Sequence, residues 1–482
     1  MRVILPLVAL MLSSVANAVV IDEDTFRRNG GDMRNVGASI RTANEKLQKH
    51  STEKPWLAVG QLNGCTATWL GNKDGWAYIL TAAHCVFSSA TEMPVRLTAT
   101  ETPLQLTFKG WDGGIVASGL GVAYVPRERI NIPANMGWAS TDVALVKLPL
   151  LRPLKDKAGI PVERPILNDR DDEKGRAVMF VGYGDWGVGL NEGYGSESGA
   201  RRLYGRSKIT SFSENDHGIG ASYKAFGPSA NWARVAAEDG GSAWWQIRDT
   251  KPVIVATTHV GHSRASIGTR ISKYANWIRS IYPEARFLSE IRPQGCIISL
   301  RNGAKYCLEV GQNSGYSLPA WIYAHEVYVQ ADSGVSVTLS DWDNLSYNRL
   351  AEFVGTVEND KLRAVKAHNG ETLDFSKPRS MRVAHSTRPL GCIVSLVSVD
   401  KYCLPAGERS AYSLPAWIYA HDVVVQADFG TGVMLSDWDN LSYNRLAVFS
   451  GVVENENMTN VKAYDGQMLN FSKPRSMRVV QQ

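Results

Sequence analysis

The sequence predicts an all-β protein, with one large N-terminal region and two small domains behind it. Three observations carry this. Short apolar runs of β type, such as WAYIL at 76–80, stand between turn-forming residues. The last two fifths of the chain consist of two copies of one segment with a period of 96 residues. SLPAWIYAH occurs at 317–325 and 413–421, LSDWDNLSYNRLA at 339–351 and 435–447, and FSKPRSMRV at 375–383 and 471–479. Two copies of this length read as two small domains rather than a solenoid. Finally, six cysteines fall in three local pairs, Cys65/Cys85, Cys296/Cys307 and Cys392/Cys403. Six cysteines allow 15 connectivities, and spacing favours these three.

Taken in order, residues 1–18 read as a secretory signal. Arg2 opens it, 3–12 are apolar, and Ala16-Asn17-Ala18 suits a cleavage site. The apolar run is too short to span a membrane, and no later stretch is long enough, so no integral membrane segment is expected. The mature chain is expected to begin near Val19 and to be secreted or periplasmic, an oxidising setting that suits the cysteines. The net charge of +5 is modest and not gathered into a basic run, which argues against nucleic acid or a membrane surface as partner. No CxxC or histidine cluster suggests a metal, and no cofactor is expected. With 482 residues and 44% hydrophobic content, roughly three packed domains are expected. Residues 19–54 are polar, with scattered charges, and read as an N-terminal arm or a propeptide.

The chemistry gathers in a handful of motifs. The stretch 81–85, TAAHC, ends the apolar run and carries His84. An imidazole suits general-base work because it titrates near neutral pH, although a single His beside a disulfide also serves structure. STDVALVKL at 140–148 sets Asp142 ahead of an alternating apolar strand, where an Asp also commonly opens a turn. VGYG at 181–184 and GTRISKY at 268–274 follow, then 275–281 with Trp277 and Ile278 placed to pack down. Between them lies AEDGGSAWW at 237–245.

In these motifs, their order and their spacing, residues 55–285 resemble the trypsin/chymotrypsin family of serine proteases. The resemblance implies a double β-barrel with a cleft between the barrels. His84 would be the general base, Asp142 would fix its tautomer, and Cys65 would bond Cys85. The nucleophile segment departs from the family's Gly-Asp-Ser-Gly-Gly. Anchored on Gly240-Gly241, it puts Asp239 at the nucleophile position, Glu238 at the buried Asp and Ala237 at the oxyanion-hole glycine. A carboxylate at 239 cannot be activated as a hydroxyl is, and it would pair with the His84 imidazolium. Sliding the register by one puts Asp239 at the family's Asp, Gly240 at the nucleophile and Ser242 two further on. Ser242 lies three residues past Asp239, up to about 10 Å away if extended, so it could act only in a rebuilt turn. Six residues before Asp239 stands Ala233, so no charge there selects a basic side chain. The Ile-Val-Gly-Gly-type start of an activated family member is absent.

Residues 283–294 read as a linker of mixed charge, with repeats at 292–385 and 388–482. In the first, Val327, Val329 and Ala331 alternate, as do Val335, Val337 and Leu339, with Asp332-Ser333-Gly334 between them as a hairpin signature. Cys296 and Cys307 lie across another hairpin signal. This pattern resembles a βγ-crystallin-type Greek key, one domain per copy. The calcium stretch of such domains would fall at 376–381, where acidic oxygens are missing, so no calcium site is expected. The loop 342–348, WDNLSYN, echoed at 438–444, mixes aromatics with amides. It suits stacking on a sugar, but the favoured reading is a Greek-key corner whose Asn and Asp side chains satisfy the backbone.

The expectation is therefore a secreted trypsin-like serine endopeptidase homologue, impaired at its nucleophile. As such a pseudoprotease it would hold a protein or peptide in the inter-barrel cleft and a glycan at the repeats. The alternative is an active serine endopeptidase that uses Ser242 with His84 and Asp142.

Overall fold

The computed structural model describes residues 19–86, 103–126, 141–194, 202–213, 215–224, 231–236, 239–316, 318–412 and 414–482. The expected signal at 1–18 lies outside them.

Six antiparallel strands close the first barrel: Val59–Leu62, Cys65–Lys73, Trp76–Thr81, Leu104–Lys109, Ile115–Tyr124 and Ala144–Pro149. Ala77, Ile79, Val146 and Leu148 point into it and meet Phe108 and Val116. Tyr78, Leu80 and Leu145, on the other face of the same strands, pack into the neighbouring core. Burial on both faces explains why 76–80 is continuously apolar rather than alternating. The second barrel runs Ala177–Gly182, Leu203–Ser213, Gly218–Ser222, Ala265–Arg270, Lys251–His262 and Ala243–Arg248, whose last member pairs back to the first. The helix Ala275–Ile281 closes the unit as expected, with Ile278 buried and Trp277 partly so.

Residues 19–54 are built into this core. Val20–Ile21 pairs in parallel with Trp186–Val188 and antiparallel with Ala233–Arg234. Asp22 caps the helix Glu23–Arg28 through the Thr25 amide, and Asn35 caps the helix Val36–Ser51 through that of Ala38. Ile40, Ala43 and Leu47 recur at helical spacing and are buried against the second barrel. The expected linker at 283–294 is corrected. Ala285, Phe287 and Leu288 are buried, and Arg286–Phe287 pairs in parallel with Ile166–Leu167 as an added strand.

Each repeat is a sandwich of two four-stranded sheets. In the first, one sheet runs Lys305–Glu309, Gln294–Ser299, Val327–Ala331, Thr356–Val357. The other runs Asn313–Ser314, Ser380–His385, Val335–Ser340, Leu350–Phe353. The hairpin expected across Asp332-Ser333-Gly334 is therefore a crossover. Val327–Ala331 and Val335–Ser340 lie in opposite sheets, and their apolar residues meet face to face in the core. The two-faced burial that sandwiches require reads in sequence like adjacent alternating strands. Cys296 does face Cys307 across a hairpin, and Cys65–Cys85, Cys296–Cys307 and Cys392–Cys403 are all bonded.

The loop after Val335–Ser340 is unusual. Asn344, Leu345, Tyr347 and Asn348 have φ of 55°, 53°, 61° and 51°, and the second copy repeats this at Asn440, Leu441, Tyr443 and Asn444. Left-handed backbone costs about 1–2 kcal/mol per residue for L side chains. Serine hydroxyls hold it. Ser340 accepts from the Trp342 N–H, Ser380 accepts from the Leu345 N–H, and Ser380 donates to the Trp342 carbonyl.

The repeats pack on the barrels. Trp56 Nε1 donates to the Val397 carbonyl and the Tyr204 hydroxyl to that of Leu396, both at 2.7 Å. Buried Arg206 pairs with Asp422 at 3.2 Å and with Glu456. Asp332 of the first repeat binds Lys251 of the second barrel at 2.7 Å and Lys401 of the second repeat at 2.6 Å.

Candidate functional site

His84 follows the strand Trp76–Thr81 on the short 3₁₀ turn Ala83–Cys85, which Cys65 ties to the neighbouring strand. Asp142 stands just before Ala144–Pro149, whose Ala144 pairs with Thr81. That register brings the two residues together. The His84 backbone N–H donates to Asp142 Oδ1 at 2.9 Å, and His84 Nδ1 lies 2.6 Å from Oδ2.

A third group, unforeseen from sequence, completes the cluster. His259 Nδ1 lies 2.5 Å from the same Oδ2. His259 sits where the pairing of Lys251–His262 slips between Thr258 and Val260. A bulge there re-aims the side chain. Burial alone would raise the Asp142 carboxyl, but the hydrogen bonds from His259 and His84 and their charges outweigh it, holding the group well below the usual carboxylate range. The carboxylate can only accept, so each ring presents a proton on Nδ1 to it.

These three side chains are also the kind of set that holds a metal. Their separations of 2.5–2.6 Å are those of hydrogen bonds. Ligands placed about 2.1 Å from a tetrahedral ion stand roughly 3.4 Å apart. The cluster is satisfied from within. Cys65 and Cys85, which flank it, are bonded to each other.

The nucleophile segment differs from the first of its two sequence registers. Asp239 does not pair with His84. It is fully buried, and its carboxylate accepts from the Ala236 N–H at 3.1 Å and from the Gly184 N–H at 3.4 Å. Two backbone donors behind the turn outcompete the imidazole in front of it. Gly240 instead faces the base: a Cβ built on it would lie 2.3 Å from His84 Nε2. Gly241, at φ +82°, is pressed so close that a Cβ would lie 2.1 Å from Thr81 Oγ1. Ser242 is also turned away. It is fully buried, with its hydroxyl 2.6 Å from that of Thr258, which in turn accepts from Trp244 Nε1 at 2.8 Å. Ala237 and Glu238 lie outside the described residues. Counted back from Gly240, the sixth residue is Arg234 rather than Ala233. Arg234 is buried, with its guanidinium over the Tyr223 ring.

The corner reading of the repeat loops is also corrected. Serines satisfy the backbone there, and neither the Asn344 nor the Asn348 amide makes a side-chain hydrogen bond among the described residues. Across those residues no helix is long and apolar enough to cross a membrane.

With this geometry in hand, comparison with known proteins separates the halves of the chain. Residues 295–384 and 391–480 each match the Beta/Gamma crystallin family. The two repeats are βγ-crystallin-type Greek-key domains, and the region before them folds as two closed six-stranded β-barrels. Over 92 residues, 19% of this chain, the sequence is 61% identical to Metalloprotease StcE of Escherichia coli O157:H7. The match spans only 10% of that relative's length. Among solved structures, an inactivated protease paralogue of the scabies mite aligns over 48% of this chain and 96% of its own, at 17% identity and a TM-score of 0.32. A Glu endopeptidase aligns over 48% and 94%, at 17% identity and a TM-score of 0.31.

Proposed function

We propose that the protein is a secreted or periplasmic pseudoprotease, which holds a protein or peptide in the inter-barrel cleft without cutting it and contacts glycan through its repeats. The observation that carries this reading is Gly240 against His84 Nε2. In this reading His84 and Asp142 stand in the base and orienting positions, while the nucleophile position belongs to Gly240 rather than Asp239. A glycine has no hydroxyl to lose a proton to the imidazole. Removing a triad nucleophile costs on the order of a million-fold in turnover. The imidazole also stands so close that a side chain at 240 would collide with it. The alternative nucleophile, Ser242, would have to leave Thr258 and the interior.

Three disulfides support an oxidising compartment.

A fluorophosphonate probe tests the cleft. The unmodified protein should remain unlabelled, and labelling on Ser242 would overturn the reading. Gly240→Ser should label slowly, because the imidazole must retreat by about an ångström for a serine to reach hydrogen-bond geometry. Asp239→Ser should not label at all, because that side chain faces Ala236 and Gly184.

A further inference from the structure

We infer that the loops 342–348 and 438–444 form two equivalent binding sites for a neutral oligosaccharide, an inference that rests on the reading of the repeats as the glycan contact. Each loop gathers exposed aromatics. Trp342 is 44% exposed and Tyr347 74%, with rings 5.8 Å apart and nearly perpendicular. Tyr316 follows Gly315, whose carbonyl accepts from the Asn344 N–H, and is 75% exposed. Trp438, Tyr443 and Tyr412 repeat the arrangement.

The comparison between copies bears on these residues. Several exposed positions elsewhere have diverged, with Gln312 aligned to Glu408, Asn313 to Arg409, His368 to Tyr464 and Thr372 to Met468, while others such as Tyr323/Tyr419 and Arg382/Arg478 have not. The exposed aromatics and the amides of both loops are identical. Folding does not require them at the surface, since serines hold the backbone and the cores lie beneath.

Charge narrows the ligand. Arg379 pairs with Asp343 at 2.8 Å and lies over Trp342, while Arg349 binds Asp341 through two nitrogens. The second copy pairs Arg475 with Asp439 and Arg445 with Asp437. Each loop arginine is matched by an acid, so the patch offers no excess cation to a phosphate or sulfate. What it offers is aromatic faces for the C–H face of a sugar ring, and amides that both donate and accept toward hydroxyl pairs. Two such sites on one packed body would bind a branched or repeating glycan with avidity.

Isothermal titration of the full chain with chitohexaose, cellohexaose and lacto-N-tetraose tests this, with a heparin hexasaccharide as the charged control. At least one neutral probe should bind at two per chain. Trp342→Ala or Trp438→Ala should leave one site, and the double variant should weaken binding at least tenfold. Trp342→Phe, which keeps an aromatic face, should retain most of it, with melting temperature and disulfides unchanged as the check on folding. No binding by any neutral probe, preference for heparin, or full binding by the double variant would overturn the inference. A double variant that keeps sugar binding but loses a protein ligand would do the same. Fluorophosphonate labelling reports on the cleft alone, so either proposal can fail without the other.

Discussion

The two repeats share one fold and much of one sequence, yet the same leucine has opposite fates in them. Leu300 of the first copy is 55% exposed, and its counterpart Leu396 is 1% exposed. Next to them stand Arg301 in one copy and buried Val397 in the other. Glu326 pairs with Arg363 at the surface, whereas its counterpart Asp422 pairs with Arg206 in the interior. Leu390, Val394, Leu396, Val397 and Val424 of the second copy belong to the same core as the second barrel. The internal cores of the copies match, with Ile297 for Ile393, Val337 for Val433 and Phe375 for Phe471. The duplicated domain therefore keeps most of its inside and rewrites the face on which a neighbour docks.

The largest test of that contrast is Arg206→Met. It leaves Asp422 and Glu456 facing the interior without their cation, and breaking such a pair costs about 3–5 kcal/mol. Arg363→Ala, at the equivalent face of the first repeat, should stay within about 0.5 kcal/mol. Chemical denaturation measures both, and similar midpoints would mean that the second repeat is not held by this contact. Leu396→Ala comes next, at about 2–4 kcal/mol for a buried leucine beside a rigid neighbour. Leu300→Ala should be close to silent in the same assay.

The smallest effect is one of pH. His50, on the helix Val36–Ser51, has its ring 5.7 Å from that of His421. Burial, then the charges of His421, Lys46 and Lys49, push its pKa down to about 3. The unfolded chain takes up that proton near pH 6.5, so its stabilising effect is full above that value and is lost as pH falls toward 3. Thermal melts should therefore drop between pH 6 and 4, and His50→Phe should flatten part of the slope. An unchanged slope in that variant would place the acid sensitivity elsewhere.

How much of this was legible follows from how local each signal is. TAAHC, the Asp142 strand and the helix Ala275–Ile281 were readable because local sequence determines a turn, a strand start and a packed helix. The disulfides were readable from proximity along the chain. The site itself was only half readable. Two registers at 239–240 differ by one residue, and tertiary contacts, among them the backbone donors of Ala236 and Gly184, decide which way Asp239 points. His259 carried no signal, because a bulge in a distant strand brings it to Asp142. The crossover at Asp332-Ser333-Gly334 looked like a hairpin because alternation records which residues are buried, not which strands pair. Nothing local distinguished Leu300 from Leu396.

The docking face of the second repeat has a consequence for how the protein is made. Part of the core packed around the second barrel is supplied by residues 390–424, and Arg206 waits for Glu456. A ribosome finishes the barrel strands some two hundred residues before it reaches that glutamate. For that interval, Trp56, Tyr204 and Arg206 lack their final partners. The nascent double barrel thus emerges with an open, sticky flank that its second repeat later closes. Completion of that flank must therefore wait for the second repeat to arrive.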